Sequence, residues 1–247
     1  MYNLPKGYLS KSQIEKYLRC PKQYYYSYIE GLPYVPSEDM AVGQVFSVLM
    51  QDYNLRKSGK EFELETEIVK TVDEKLDFQK VLSTAKKCFN AYMIKLQQEK
   101  LDDYMVLEAE ESYIFEVEGI EIMIIPDMIK SNYQTMEDVI VDYKTTGRLK
   151  FTEDNLKFDI QTSLYSLGKG IEKVEIHEVT RPRTKKEVID CNITSVTKTP
   201  SQIEDTMSMV FHVAKGISAG DFPKCLYGGW ECSEKYCAYW NLCRGKE

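Results

Sequence analysis

The chain has no long hydrophobic run. Its longest apolar stretches, such as Ile122 to Pro126 and Val139 to Val141, fall far short of the roughly 20 residues that a membrane-spanning helix needs, so no membrane partner is expected. Met1 to Ser10 lacks the apolar core of a signal peptide, which makes a cytoplasmic location the expectation. Histidine is scarce, with only His177 and His212 in 247 residues. His177 falls mid-strand, where a satisfied core or edge histidine is the ordinary outcome, and His212 lies on a late helix. Positive charge is in deficit: 32 Lys plus Arg against 39 Asp plus Glu leave a net charge of −7. Overall acidity repels polyanions at long range, so a nucleic-acid partner requires a locally basic groove. No Gly-x-x-x-x-Gly-Lys-Ser/Thr loop is present, so any ATP-driven motor belongs to a separate protein. Nor is there an internal repeat, a low-complexity tract or a convincing linker, and a single domain over residues 1–247 is expected.

What is present suits a globular chain with a substantial core. Hydrophobic residues make up 43% and charged residues 29%, too apolar for disorder. Seven cysteines stand at Cys20, Cys88, Cys191, Cys225, Cys232, Cys237 and Cys243. An odd number without an export signal favours metal ligation or free thiols over disulfides. Cys88 and Cys191 read as small buried hydrophobes.

The pattern predicts an α/β order. A capping box at Ser10 to Gln13 starts a helix that breaks at Cys20-Pro21, and a second helix runs from Pro21 to Gly31. It carries Tyr24, Tyr25 and Tyr26, which a helix cannot aim at one surface, so at least two should pack inside. Leu32 to Asp39 reads as a loop; helical spacing covers Met40 to Leu55 and Val72 to Glu99. From about Val106 the period becomes two: a hairpin with Tyr113 to Val117 and the apolar run Ile120 to Met128, a polar connection from Lys130 to Glu137, and a strand from Asp138 to Lys144. A helix over Phe158 to Gly168, strands over Val174 to Arg181 and Val188 to Val196, and a helix over Pro200 to Ala219 complete the order. These divide into a helical region at about 10–100, a core at about 106–198, and a helix with a cysteine-rich tail at about 200–247.

Asp127 ends one apolar strand and Asp142 lies inside the next, so pairing the two as neighbours brings both carboxylates to one spot. Lys144 shares the face of Asp142, and Tyr143 points away with its carbonyl available. Asp-x-Lys on a strand is commonly a surface ion pair, but carboxylates closing buried runs are costly without a cation. Two carboxylates and a carbonyl form a hard oxygen site suited to Mg²⁺ or Mn²⁺. Cys232-x4-Cys237-x5-Cys243 offers three thiolates among aromatic residues, with Cys225 or Cys20 as the fourth. For contact with nucleic acid, the basic residues are Arg181, Arg183, Lys185 and Lys186 between two strands, with Arg148 and Lys150 after Lys144.

Pro126-Asp127 followed by Asp142-Tyr143-Lys144 resembles the PD-(D/E)XK nuclease superfamily, whose name spells these motifs. Gln161-Thr-Ser-Leu-Tyr165 is similar to the Gln-x-x-x-Tyr motif of its RecB-type branch, and the resemblance extends from Leu9 to Cys243. It implies a restriction-endonuclease-like core, with a mixed central β-sheet flanked by helices. It implies Mg²⁺- or Mn²⁺-dependent DNA hydrolysis, exonuclease before endonuclease, on single strands or free ends in recombination, repair or phage replication, with a helicase or recombination protein as a partner. Asp127, Asp142 and the Tyr143 carbonyl would then hold the ion and Lys144 assist the attacking water, with Gln161 and Tyr165 reaching DNA. In the iron-sulfur members, including AddB and the CRISPR-associated four-cysteine exonucleases, one N-terminal and three C-terminal cysteines hold a [4Fe-4S] cluster. Leu9-Ser10 to Cys20-Pro21-x-x-Tyr24 is similar to their N-terminal segment, which implies Cys20, Cys232, Cys237 and Cys243 here; Zn²⁺ is the alternative, since four thiolates suit it equally. Family members carry a His four residues after a Gly in the early helix. Aligned on Gly43, Ser47 stands there. Either another oxygen fills the place, or the chain is a catalytically weak or inactive nuclease-fold DNA-binding subunit. Glu111 reads as an exposed strand carboxylate.

Overall fold

A computed structural model describes residues 2–34, 36–182, 184, 187–225 and 229–245. In chain order the elements are β1 (Tyr8–Ser10), α1 (Lys11–Arg19), α2 (Pro21–Tyr24), a π turn (Tyr25–Ile29), α3 (Glu38–Lys57), α4 (Leu64–Thr71) and α5 (Phe78–Gln98). There follow β2 (Tyr104–Glu108), β3 (Tyr113–Val117), β4 (Ile120–Ile124), β5 (Met128–Asn132), β6 (Asp138–Thr146), α6 (Glu153–Leu156) and α7 (Ile160–Lys169). The last are β7 (Lys173–Thr180), β8 (Cys191–Thr197), α8 (Pro200–Ser218) and α9 (Trp240–Arg244). The chain folds into two compact units, one from 1–35, 113–124 and 204–247, the other from 36–112 and 125–203.

The smaller unit holds a three-stranded sheet in the order β1-β4-β3, with β1 parallel and β3 antiparallel to β4. Glu118 and Gly119 both take positive φ, 49° and 79°, the backbone that a two-residue hairpin turn demands. Tyr24 and Tyr26 are buried and Tyr24 stacks on Phe222, so two of the three successive tyrosines do pack inside.

The larger unit is built on a mixed five-stranded sheet, β2-β5-β6-β7-β8, in which only β6 and β7 run parallel. The α/β class and the mixed sheet flanked by helices are as expected. Alternation along β6 sorts its side chains. Val139, Val141 and Tyr143 enter a core with Phe46 and Met50 of α3, Cys88 and Tyr92 of α5, and Met128 of β5. Asp142 and Lys144 therefore face the other way, where Gln161 of α7 meets both. A Cβ on Gly43 would lie 2.9 Å from Thr145 Oγ1, so glycine lets α3 approach β6 closely.

Four local expectations need correction. Ser10 ends β1 as well as flanking α1, and its side chain makes no cap bond; Gln13 Nε2 donates instead to the Tyr8 carbonyl at 3.2 Å and to Ser10 Oγ at 3.4 Å. The helix expected over Val72 to Glu99 starts only at Phe78, because Asp73 accepts from Lys75 N in a turn and Asp77 caps α5 through Lys80 N. A separate helix, α4, precedes it. The apolar run from Ile120 splits at Ile125-Pro126-Asp127, since Pro126 cannot donate to a ladder, and β4 and β5 join different sheets. Lys130 to Asn132 is strand rather than connection; its polar face is held by Lys130, which pairs with Glu175 at 2.6 Å.

Candidate active site

The last paired residues of β5 and β6 are Met128 and Val141, so Asp127 and Asp142 come next on each strand at the point where the ladder ends. Asp127 Oδ2 accepts the Tyr143 backbone N–H at 2.6 Å. Because one residue's N–H and C=O point to the same strand edge, the Tyr143 carbonyl also faces the Asp127 side, beyond the reach of β5 pairing. Asn54 Nδ2 donates to Tyr143 Oη at 3.1 Å and fixes that side chain in the core.

Around Asp142, which is only 1% exposed, a closed polar chain forms. Gln161 Nε2 donates to Asp142 Oδ1 at 2.7 Å and to Tyr165 Oη at 2.6 Å, and Gln161 Oε1 accepts from Lys144 Nζ at 2.8 Å. Lys144 Nζ also pairs with Asp142 Oδ2 at 2.5 Å. Tyr165, itself buried, donates its hydroxyl to the Ile125 carbonyl at 2.8 Å. Helix α7 presents Gln161 and Tyr165 in this way because Asp159 caps its start through Thr162 N, and Gly170, at φ +67°, ends it. Asp127, Asp142, Lys144, Gln161 and Tyr165 are thus brought together.

Glu110, which sequence reasoning passed over for its neighbour, joins them. It follows β2 with φ +53°, and its N–H donates to the Asp127 carbonyl at 3.3 Å. Burial and then the Asp142 charge push its carboxyl up to about 7, against Lys144. Burial, Asp142 and Glu110 hold the Asp127 carboxyl well above the usual range. Burial opposes the Lys144 ammonium, but Asp142 and Asp127 outweigh it and raise its pKa. Glu111 is exposed and pairs with Lys60 at 3.4 Å.

This donor set fits a hard divalent cation: carboxylates crowded until they resist ionising, the Tyr143 carbonyl on the same strand edge, and one ammonium as the compensating charge. Among the described residues no three His, Cys, Asp or Glu side chains close directly on one point.

The basic residues are placed differently from one another. Arg148 and Lys150 are exposed on the segment after β6, which Glu178 pins by accepting from Thr146 Oγ1 at 2.9 Å, Lys150 N at 3.0 Å and Phe151 N at 3.2 Å. Arg181 pairs with Asp39 at 3.0 Å and donates to the Thr145 carbonyl at 2.6 Å, bracing α3 to β6. Arg183, Lys185 and Lys186 lie outside the described residues. His177 is a core histidine, linked to Tyr92 Oη and, at 2.9 Å, to Glu175. His212 is exposed.

In the smaller unit, Cys20, Cys225, Cys232, Cys237 and Cys243 line one cavity of about 160 Å³. Gln23 Nε2 donates to Cys237 Sγ at 3.2 Å. Burial raises the Cys243 thiol, with Cys20 and Cys237 adding to it against Lys224 and Arg244. The lining is rich in sulfur, but among the described residues no three of these side chains close on one point as metal ligands.

A family model described as the PD-(D/E)XK nuclease superfamily matches residues 8–244. Among solved structures, a putative exonuclease from Eubacterium rectale superposes with a TM-score of 0.57 at 15% identity, covering 94% of this chain and 87% of that one. LHK-Exo in complex with dAMP gives a TM-score of 0.35 at 10% identity, over 74% of this chain and 92% of that one. No curated protein sequence matches. No helix among the described residues is long and apolar enough to cross a membrane.

Proposed function

The chain belongs to the PD-(D/E)XK nuclease superfamily, and from that premise we propose that it is a Mg²⁺- or Mn²⁺-dependent exonuclease on single-stranded DNA or DNA ends, serving recombination, repair or phage replication. The observation that carries this reading is the closed chain of Asp142, Lys144, Gln161 and Tyr165 beside Asp127. Asp127, Asp142 and the Tyr143 carbonyl would hold the ion, which supplies Lewis-acid polarisation of a phosphate oxygen and a more acidic water.

The protein's own groups do the rest. Lys144 stays an ammonium near neutral pH because Asp142 and Asp127 raise its pKa against burial, so it acts as a cationic donor. It can orient the attacking water or meet charge building on the phosphate. Gln161 fixes Lys144 and Asp142 with opposite ends of one amide, and Tyr165 locks that amide in orientation. Arg148 and Lys150, exposed beyond β6, are suited to backbone phosphates, and Arg183 and Lys185 are added to them on their charge in the sequence alone.

We also assign Cys20, Cys232, Cys237 and Cys243 as ligands of a [4Fe-4S] cluster, with Zn²⁺ as the other occupant four thiolates accept. The shared cavity and the influence of Cys20 and Cys237 on Cys243 support this. The test of the function is incubation with end-labelled linear and covalently closed circular single strands in Mg²⁺ or Mn²⁺. Mononucleotides from the linear strand alone are the expected product. Binding without cleavage of either would favour the inactive DNA-binding subunit, the reading that Ser47 in place of a family His supports.

A further inference from the structure

Lys198 is 1% exposed and lies far in sequence from the motifs, yet its ammonium is among the most fully partnered groups in the larger unit. Its Nζ donates to the carbonyls of Leu156 at 2.6 Å, Lys157 at 3.1 Å and Asp159 at 3.3 Å, and to Ser163 Oγ at 3.0 Å. Ser163 Oγ donates in turn to the Asp159 carbonyl at 2.8 Å. Leu156 is the last residue of α6, Lys157 its C-cap and Asp159 the N-cap of α7. Carbonyls at a helix end have no intrahelical partner, and a buried one without any partner is costly. The ammonium gathers three carbonyls, from the last residue of α6, its C-cap and the N-cap of α7, of which Leu156 also accepts the Asp159 N–H at 3.2 Å and Asp159 the Ser163 N–H at 3.1 Å; it joins them much as a bound monovalent cation would, but tethered to the end of β8 by its own side chain.

Gln161 is the second residue of α7, so its reach to Asp142 and Lys144 starts from this corner. We propose that Lys198 is a positioning residue of the nuclease site, whose buried ammonium fixes the α6–α7 corner and so places the Gln161 amide between Asp142 and Lys144. This rests on the nuclease reading for its effect on turnover. Burial pushes the Lys198 ammonium down to about 8, with Asp159 opposing; a solvated lysine would not carry that penalty. Nor does the site use the ammonium directly: its hydrogen bonds all lie on 156–163.

The experiment compares wild type with Lys198→Ala, Lys198→Met and Ser163→Ala, following the Gln161 side-chain amide by ¹H–¹⁵N NMR, its signal assigned from Gln161→Leu. In the wild type both amide protons should be displaced from random-coil shifts and protected from exchange. Lys198→Ala and the volume-filling Lys198→Met should collapse that signal, and Ser163→Ala should move it part of the way. Propylammonium should restore it in Lys198→Ala, and propanol should not, because the missing element is charge rather than volume. Steady-state cleavage should show kcat lower by about ten- to hundredfold with KM for DNA nearly unchanged, since a misplacement near 1 Å has effects of that order. An unchanged Gln161 signal in Lys198→Met, or equal rescue by propanol, overturns the proposal. Absence of cleavage by every form would instead overturn the nuclease reading, while the amide signal still decides the positioning claim.

Discussion

Replacing Glu110 by Gln should make the metal-free protein more stable at pH 8 and leave it unchanged near pH 4.5. The Glu110 carboxyl, 4.5 when unperturbed, is pushed up to about 7 by burial and by Asp142. A folded-state value above the unfolded one means that the native protein binds this proton more tightly. Its stability therefore falls as pH rises through the window from 4.5 to 7, and the deficit is complete above it. The rise in pKa corresponds to a ceiling of about 3 kcal/mol. The carboxylate keeps some contact with water, which reduces the expected gain in Glu110→Gln to about 1–2 kcal/mol. For a chain of this size that is a rise in Tm of about 3–6 °C. The assay is thermal unfolding in EDTA at pH 8 and pH 4.5, repeated at pH 8 with Mg²⁺, whose binding to the native state should raise the wild type and narrow the gap. An equal Tm for the two proteins at pH 8 in EDTA, or the same difference at both pH values, would refute the idea that Glu110 is crowded by Asp142.

Replacing Cys20, Cys232, Cys237 or Cys243 by Ser should remove the visible absorbance of anaerobically purified protein and lower its iron content, whereas Cys225→Ser should do neither; the reverse pattern for Cys20 and Cys225 would make the tail a self-contained thiolate site. Ser47→His should tighten Mn²⁺ binding in calorimetric titration, since imidazole suits that ion better than a hydroxyl, and equal affinity would place Ser47 away from the ion. Gly216→Ala should destabilise the smaller unit by about 1–3 kcal/mol, read as a lower Tm, because the new Cβ would fall 2.1 Å from Tyr17 Oη, which is already held on the Asp221 carbonyl at 2.7 Å.

The parts of the site that could be read in the sequence are those whose geometry is local. Alternation alone puts Asp142 and Lys144 on one face of β6 and Tyr143 on the other, and four-residue spacing puts Gln161 and Tyr165 on one face of α7. The meeting of Asp127 and Asp142 follows from the antiparallel register of β5 and β6, with the strands read correctly at Asp142 even though β5 itself begins only at Met128. Glu110 was hidden because its direction depends on a positive φ just after β2, a turn that no Gly or Asn marks. Glu178 and Lys198 were hidden for another reason: each is a charged residue in or beside a strand, and most of its partners are backbone groups far along the chain, such as Phe151 N, 27 positions from Glu178, and the Leu156 carbonyl, 42 from Lys198. Composition and periodicity carry no trace of such pairs. The polar strand Lys130 to Asn132 is a third case, in which a paired lysine makes a ladder segment look like a loop.

The central claim is that Asp142 and Lys144 perform metal-dependent phosphodiester hydrolysis. It is tested most directly by single-turnover cleavage of a labelled DNA strand by wild type, Asp142→Asn and Lys144→Ala, each in Mg²⁺ and in EDTA. The account predicts cleavage by the wild type only with Mg²⁺, and rates about a hundredfold lower or less in both variants, the scale on which removing one transition-state contact acts. Cleavage by the wild type in EDTA at its Mg²⁺ rate, or undiminished cleavage by both variants, would contradict it.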